Sequence, residues 1–227
     1  MNVALILSGG VGSRLEAEIP KQYIEVNGKK IIDYCLETFE ACECIDAIQI
    51  VADDKWHEDI SKEAWRKLRG FSVPGKTRQL SILNGLESIR AYAGEADVVI
   101  IHDAARPLVS ARMIEMLVNA AMEHDGALPV LPMKDTVYFS EDGQRITSLL
   151  ERKCIYAGQA PESFVLGKYY AANKALSAEE MLKINGSTEP AVLAGMDIAM
   201  IPGDERNFKI TTKEDLRRFI ELAALME

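Results

Sequence analysis

The sequence has no apolar run that approaches the roughly eighteen residues needed to cross a bilayer. Its first residues, Met1-Asn2-Val3-Ala4-Leu5-Ile6-Leu7, carry no basic segment ahead of the apolar run and no small-residue cleavage site. They are therefore not read as a secretory signal. Cysteine and histidine are scarce. Cys35, Cys42, Cys44 and Cys154 form no C-x-x-C pair, and His57, His102 and His124 are scattered. A structural zinc site is not expected from such spacing, and reduced thiols in a cytoplasmic setting are. Positive charge is in deficit: 26 Lys and Arg stand against 35 Asp and Glu, a net charge of −9. That balance excludes general binding to nucleic acid or to an anionic membrane. An anionic ligand must be held by a local cluster of Lys and Arg. Linkers, low-complexity segments and repeats are missing as well.

What is present is an ordinary globular balance, 48% hydrophobic and 27% charged in 227 residues. At about 150 residues per domain, a single domain over 1–227 is expected. Asn2–Leu7 reads as a buried strand that ends in Ser8-Gly9-Gly10. Ile32, Cys35, Leu36 and Phe39 recur at helical spacing. Ile45–Ala52 reads as a strand, and the charged stretch Trp56–Arg69 as an amphipathic helix. Arg78–Tyr92 predicts a helix, Val98–Ile101 a central strand, Met113–Met122 a helix and Ala127–Leu131 a strand. Strands alternating with helices predict an α/β fold with a mostly parallel sheet of right-handed βαβ units.

Residues 135–157 break that rhythm. Ser140-Glu141-Asp142-Gly143-Gln144 lies between the β-rich runs Thr136–Phe139 and Arg145–Leu149, which predicts a hairpin. The resulting arm, 136–153, is either an edge decoration or a dimerisation arm. A two-stranded ribbon is barely stable alone, so a second copy of the chain is the expected cover. Asp197–Ile201 then reads as a strand and Thr212–Leu225 as a helix, with Thr211 or Thr212 as its cap.

Two glycine loops compete for an anionic ligand. The first is Ser8-Gly9-Gly10-Val11-Gly12-Ser13-Arg14, followed by Pro20-Lys21. Glycines let backbone N–H groups approach phosphate oxygens at the carboxyl end of a strand. Arg14 adds a bidentate fork and Lys21 a compact charge. The dinucleotide fingerprint is not met, because position 15 is Leu15 where a glycine is required. The second loop, Gly70-Phe71-Ser72-Val73-Pro74-Gly75-Lys76-Thr77, matches the P-loop pattern literally. A P-loop needs a buried strand ahead of its first glycine, whereas Lys62–Arg69 reads as a charged helix. Phe71 and Val73 fit a short strand instead. A P-loop kinase using Lys76 and Asp103 is the rival enzyme reading.

Two more clusters carry chemistry. In His102-Asp103-Ala104-Ala105-Arg106-Pro107, Asp103 is a candidate oxygen ligand for a divalent metal, and Arg106 a partner for Asp103 or for a phosphate. In Asn207-Phe208-Lys209-Ile210-Thr211, Lys209 is placed in a short strand ahead of a helix.

Taken in order, these motifs resemble the cytidylyltransferases that activate polyol phosphates: 2-C-methyl-D-erythritol 4-phosphate cytidylyltransferase and ribitol-5-phosphate cytidylyltransferase. The resemblance runs through nearly the whole chain. It covers Gly9–Arg14, Pro20-Lys21-Gln22-Tyr23, Gly75–Ser81, His102–Pro107, Lys134-Asp135-Thr136, Arg152 and Lys209-Ile210-Thr211. It implies a Rossmann-like nucleotidyltransferase domain that transfers CMP from CTP to a polyol phosphate and releases pyrophosphate.

The resemblance also implies roles. The loop of Ser8, Gly9, Gly10 and Gly12 would cradle the triphosphate, with Arg14 and Lys21 on the α-phosphate. Arg78, Ser81 and Gly85 would lie near the cytidine or its support. Asp103 would sit by Mg2+ and the ribose–phosphate region, and Lys209 near the reacting centre. Arg106, Thr136 and Arg152 would bind the acceptor phosphate, the arm residues probing a neighbouring subunit's site in a homodimer. The acceptor phosphate is already a nucleophile at neutral pH, so no catalytic base is needed, and positioning with electrostatic stabilisation suffices. A nucleotide-binding regulatory protein without turnover is the non-enzyme alternative, against which Arg14, Lys21 and Lys209 all speak.

The chain departs from the family's pattern in two places. The common Thr-Pro-Gln before an aromatic residue is here Ala160-Pro161-Glu162-Ser163-Phe164. The Thr-Asp-Glu-Ala segment is here Ser187-Thr188-Glu189-Pro190, which loses the Asp. Tyr156-Ala157-Gly158-Gln159 looks more like the ribitol branch, and the choice of acceptor stays open.

Overall fold

The computed structural model of the chain describes residues 1–10 and 19–225. In chain order its strands begin with β1 (Asn2–Leu7), β2 (Glu25–Val26), β3 (Lys29–Lys30), β4 (Ala47–Val51), β5 (Leu68–Ser72) and β6 (Val98–Asp103). They continue with β7 (Gly126–Pro132), β8 (Tyr138–Phe139), β9 (Ser148–Leu149), β10 (Tyr156–Gly158), β11 (Glu162–Val165) and β12 (Ile198–Pro202). The helices are α1 (Ile31–Ala41), α2 (His57–Ser61), α3 (Arg78–Ile89), α4 (Ala111–Ala120), α5 (Leu166–Lys174), α6 (Ala178–Lys183), α7 (Glu189–Leu193) and α8 (Lys213–Ala223).

Eight strands form one sheet in the order β10-β7-β11-β6-β1-β4-β5, with β12 beside β7. The β1–β4, β1–β6, β4–β5 and β7–β12 pairs are parallel, so the expected mostly parallel α/β sheet is present. Side chains alternate across it with the period of a strand. Ala4, Ile6, Ile48 and Ile100 pack with α1 and α4 on one face. Val3, Leu5, Val99 and Ile101 pack with α3 and α5 on the other. β1 is covered on both faces and both edges, and Val3 to Ile6 have no exposed surface. This places the ends of β1 and β6, and the loops that follow them, over a rigid core.

Several expectations need correction. Trp56–Arg69 is not one helix. A 3-10 turn (Asp54–Trp56) leads into α2, which stops at Ser61, and Leu68 and Arg69 belong to β5. Tertiary acceptors take the backbone that a longer helix would use. The Trp65 indole donates to the Ile60 carbonyl at 3.0 Å, and the Arg66 and Lys67 amides donate to the Glu40 carboxylate, each at 3.1 Å. Lys209 does not lie in a strand. Its segment is irregular and is held by the Ile210 amide, which donates to the Ala105 carbonyl at 2.9 Å. β11 and α5 were not expected at all, and β11 runs antiparallel between β6 and β7.

The hairpin forms, with strands of only two residues each, β8 paired to β9. Asp142 Oδ1 accepts from the Gln144 and Arg145 amides at 2.8 and 2.9 Å, and Gly143 takes the left-handed φ of 69° that the turn requires. Tyr138, Phe139, Ile146 and Leu149 stand exposed on it. Thr212 caps α8, its hydroxyl accepting from the Asp215 amide while the Asp215 carboxylate accepts from the Thr212 amide. Among the described residues no helix is long and apolar enough to cross a membrane. Among the described residues no group of three metal-ligating side chains converges, and all four cysteines are free.

Candidate active site

The two glycine loops are walls of one cavity. The first wall follows β1 and contributes Gly9 and Gly10, with Lys21 close behind. The second follows β5 and contributes Gly75, Lys76 and Thr77. The cavity measures about 420 Å³, and its floor is Asp103 from the end of β6. Gly12 and Arg14 lie outside the described residues.

Each wall is built by local hydrogen bonds. Gln22 Nε2 donates to the carbonyls of Ser8 at 2.6 Å and Gly10 at 2.8 Å, and Ser8 Oγ donates to Tyr23 Oη at 2.7 Å. The first loop is thus clamped by the residues just after Lys21. On the second wall, Ser81 Oγ accepts from the Gly75 amide at 2.9 Å and donates to the Thr77 carbonyl at 3.0 Å. Thr77 caps α3, its Oγ1 accepting from the Leu80 amide at 3.0 Å. The free amides at this helix start favour an anion in the cavity. β5 carries Gly70 inside a sheet strand, not at the mouth of a loop, and this overturns the P-loop reading.

Asp103 organises the cations. Arg78 Nη2 lies 3.0 Å from its Oδ1, Lys209 Nζ 2.9 Å from its Oδ2, and Arg106 Nε 3.8 Å from Oδ2. Burial pushes this carboxyl up, but Arg78, Lys209 and Arg106 outweigh it and hold it well below the usual carboxylate range. Neighbouring His102 is fully buried, and burial pushes its imidazole down to about 4, so it is neutral. A cationic rim around one buried carboxylate suits a polyphosphate: the fixed charges are paired while the site is free of ligand and face the same point when it is filled.

Not every candidate lines the cavity. Gly85 packs α3 onto β1; a methyl group there would lie 2.5 Å from Leu5 Cδ1, so it supports the site and does not touch it. Arg106 is only 13% exposed and turns inward, donating from Nη1 to the Asn207 carbonyl at 2.6 Å. It anchors the segment that carries Lys209 and does not line the cavity. Thr136 and Arg152 belong to the arm, outside this chain's cavity; Arg152 Nη1 donates to the Lys134 carbonyl at 2.6 Å. Gln22 and Tyr23 are the residues that sequence reasoning passed over. The signal was their place in Pro20-Lys21-Gln22-Tyr23, directly after the cation.

Comparison with known proteins agrees with this geometry. Residues 2–222 match the family described as IspD, 2-C-methyl-D-erythritol 4-phosphate cytidylyltransferase. A 2-C-methyl-D-erythritol 4-phosphate cytidylyltransferase of Geobacter metallireducens is 38% identical over 221 residues, 94% of this chain and 93% of that protein. A ribitol-5-phosphate cytidylyltransferase of Streptococcus agalactiae is 30% identical over 227 residues, 96% of this chain and 94% of that one. The crystal structure of the Francisella tularensis 2-C-methyl-D-erythritol 4-phosphate cytidylyltransferase superposes with a TM-score of 0.82 at 25% identity, covering 100% of this chain and 99% of that one. With two glycine-bearing walls over one buried carboxylate and a match that spans residues 2–222, the chain belongs to the 2-C-methyl-D-erythritol 4-phosphate cytidylyltransferase family.

Proposed function

We propose that the chain transfers CMP from CTP to a polyol phosphate and releases pyrophosphate. The observation that carries this reading is the convergence of Lys21, Lys76, Arg78 and Lys209 on one cavity between two glycine loops. An acceptor phosphate oxygen attacks the α-phosphorus of CTP. The new P–O bond forms as the bond to the bridging oxygen of the β-phosphate breaks, and pyrophosphate leaves with that electron pair. The attacking phosphate is already anionic, so no side chain has to remove a proton. Lys21 and Lys209 meet the charge that builds on the α-phosphate, and the α3 start with Gly9 and Gly10 holds the leaving end. Arg14 shares the α-phosphate role by resemblance.

Mg2+ fits the donor set as an ion carried by the nucleotide. Among the described residues Asp103 is the one carboxylate lining the cavity, and Mg2+ binds through one or two carboxylates plus substrate phosphates. Bound there, it would neutralise phosphate charge. A purely protein-built metal site does not fit, since both Asp103 oxygens already face cations.

The acceptor is a polyol phosphate. The higher identity to 2-C-methyl-D-erythritol 4-phosphate cytidylyltransferases favours that substrate. Tyr156-Ala157-Gly158-Gln159 favours ribitol 5-phosphate as the second reading. Thr136 and Arg152 would meet the acceptor across a homodimer built on the arm, whose exposed Tyr138, Phe139, Ile146 and Leu149 need a cover. A cytoplasmic setting agrees with the four free thiols. The test is incubation with CTP, Mg2+ and each acceptor in turn, followed by a pyrophosphate assay. Release with one polyol phosphate and not without it supports the reading; release with neither, or with ATP in place of CTP, rejects it.

A further inference from the structure

Tyr23 carries a second aromatic ring on its face. Trp56 stacks on it, with ring centroids 3.9 Å apart and planes 16° from parallel. Tyr23 closes the 3-10 turn Lys21–Tyr23, whose first two residues line the cavity. Backbone bonds tie this turn: the Tyr23 amide donates to the Pro20 carbonyl at 2.9 Å, and the Ile24 amide to the Lys21 carbonyl at 3.2 Å. Gln22 and Tyr23 are buried, and both bind Ser8 of the first wall. Burial pushes the Tyr23 hydroxyl up to about 12, so it keeps its proton and is a neutral partner for Ser8.

Trp56 belongs to the segment between β4 and α2, which contributes no lining residue to the cavity. That segment is pinned independently. His57 stacks on Phe71 of β5, centroids 4.0 Å apart and planes 12° from parallel, and its Nε2 lies 2.9 Å from the Ala52 carbonyl oxygen. The Trp56 amide donates to the Asp53 carbonyl at 2.9 Å. The Trp56 indole N–H, by contrast, is buried and meets no acceptor among the described residues. A buried donor left unpaired costs stability, so the N–H is not what this tryptophan contributes. Its contribution is the ring face that presses on Tyr23.

We propose that Trp56 is a positioning residue for Lys21: its ring fixes the Tyr23 ring, and through it the turn that aims the Lys21 ammonium at the reacting phosphate. The inference rests on reading the cavity as the CTP site. Lysine is a point charge on a flexible stem, so its aim depends on the backbone that carries it. Here that backbone is a single turn, held by Gln22 and Tyr23 on one side and stiffened by the stacked ring on the other. The charge that Lys21 meets builds up only as the transition state forms. A turn set loose therefore lowers turnover more than it weakens nucleotide binding. Trp56 touches no reacting atom and acts through Tyr23.

The test is steady-state pyrophosphate release from CTP, with whichever of 2-C-methyl-D-erythritol 4-phosphate and ribitol 5-phosphate supports it. Five full-length chains are compared: the natural protein, Trp56→Phe, Trp56→Leu, Lys21→Ala and the double variant Trp56→Leu/Lys21→Ala. Trp56→Leu should lower kcat about tenfold and leave the KM for CTP within about threefold. Trp56→Phe keeps a ring on Tyr23 and sheds the unpaired donor, so its kcat should stay within about threefold of the natural value. In the Lys21→Ala chain, Trp56→Leu should cost no further turnover, because both changes act through one ammonium group. A natural kcat in Trp56→Leu, a loss confined to KM, a Trp56→Phe chain as slow as Trp56→Leu, or losses that multiply in the double variant each overturn the proposal. If Trp56→Leu does not fold, Trp56→Met replaces it in every comparison, removing the ring while keeping a long apolar side chain. A natural chain that releases no pyrophosphate with either acceptor instead removes the CTP reading, and the proposal with it.

Discussion

Gly9 lies against Pro74, so close that a methyl group on Gly9 would sit 2.5 Å from the proline Cβ. Residues far apart in the chain thus fix the spacing of the two cavity walls. Neither loop is complete as a site without the other.

Replacing Gly9 with Ala should force the walls apart. Overpacking costs about 1–3 kcal/mol, and here the strain falls on the cavity. The KM for CTP is expected to rise about tenfold, with a smaller loss of thermal stability. Pro74→Gly in the same chain should recover most of the CTP affinity by making room. Steady-state kinetics on the single and double variants check this; a Gly9→Ala chain with the natural KM would sever the link between the contact and the site.

Lys21 and Lys76 both line the cavity, yet their losses should differ. Lys21→Ala is expected to lower turnover by about a hundredfold or more, the scale for one preorganised charge at the reacting centre. Lys76→Ala should have a smaller effect on kcat and act mainly on KM. The reverse order would mean that the chemistry lies at the second wall.

Asp103→Asn leaves Arg78, Lys209 and Arg106 without their shared partner. The expected cost is on the order of 3 kcal/mol of stability, with loss of activity. The pH dependence has a definite sign. The folded carboxyl is held below its unfolded value near 4, so its stabilisation is complete above about pH 5 and is lost as pH falls through the range below 4. Thermal melts of both chains from pH 7 down to pH 3 check this. The natural chain should lose its advantage over the Asp103→Asn variant only at the acid end, and an advantage that also fades between pH 7 and pH 5 would contradict the assignment.

The arm makes a prediction about mixed subunits. If Arg152 serves a neighbour's acceptor site, an inactive Lys21→Ala chain and an inactive Arg152→Ala chain should complement each other after subunit exchange. One of the two sites in a mixed dimer would then hold both residues intact, giving up to roughly half the natural activity per mixed dimer. Sedimentation should report a dimer. A monomer, or no recovery after proven exchange, removes the shared site and leaves the transfer chemistry untouched.

Much of the fold was legible where burial is uniform. Val98–Ile101 announces itself because a strand covered on both faces must be apolar at every position. β11 gave no such signal: Glu162 and Ser163 are buried polar residues, satisfied by Thr188 and by the Leu117 carbonyl, contacts that exist only after folding. Trp56–Arg69 misled for a related reason, since its charges read as a solvated helix face while Glu40 claims its amides. At the site, each glycine loop was visible by itself. Their union on one nucleotide was implied by the resemblance alone; the contact that fixes it, Gly9 against Pro74, leaves no mark in the residue types. The clamp by Gln22 was hidden too, since an amide that binds carbonyls leaves no pattern in the residue types around it.

The antiparallel wedge of β11 between β6 and β7 bears on how the chain is made on the ribosome. β1, β4, β5 and β6 can assemble once residue 103 has emerged, but β7 has no place beside β6 until residues 162–165 arrive to separate them. Synthesis proceeds at roughly 5–20 residues per second, so for some seconds the nascent half-sheet presents a bare edge at β6. The cavity floor, Asp103, stands at the end of that edge, and its counter-ion Lys209 emerges later still. The cluster of charges around Asp103 therefore closes only near the end of synthesis, shortly before α8 can dock.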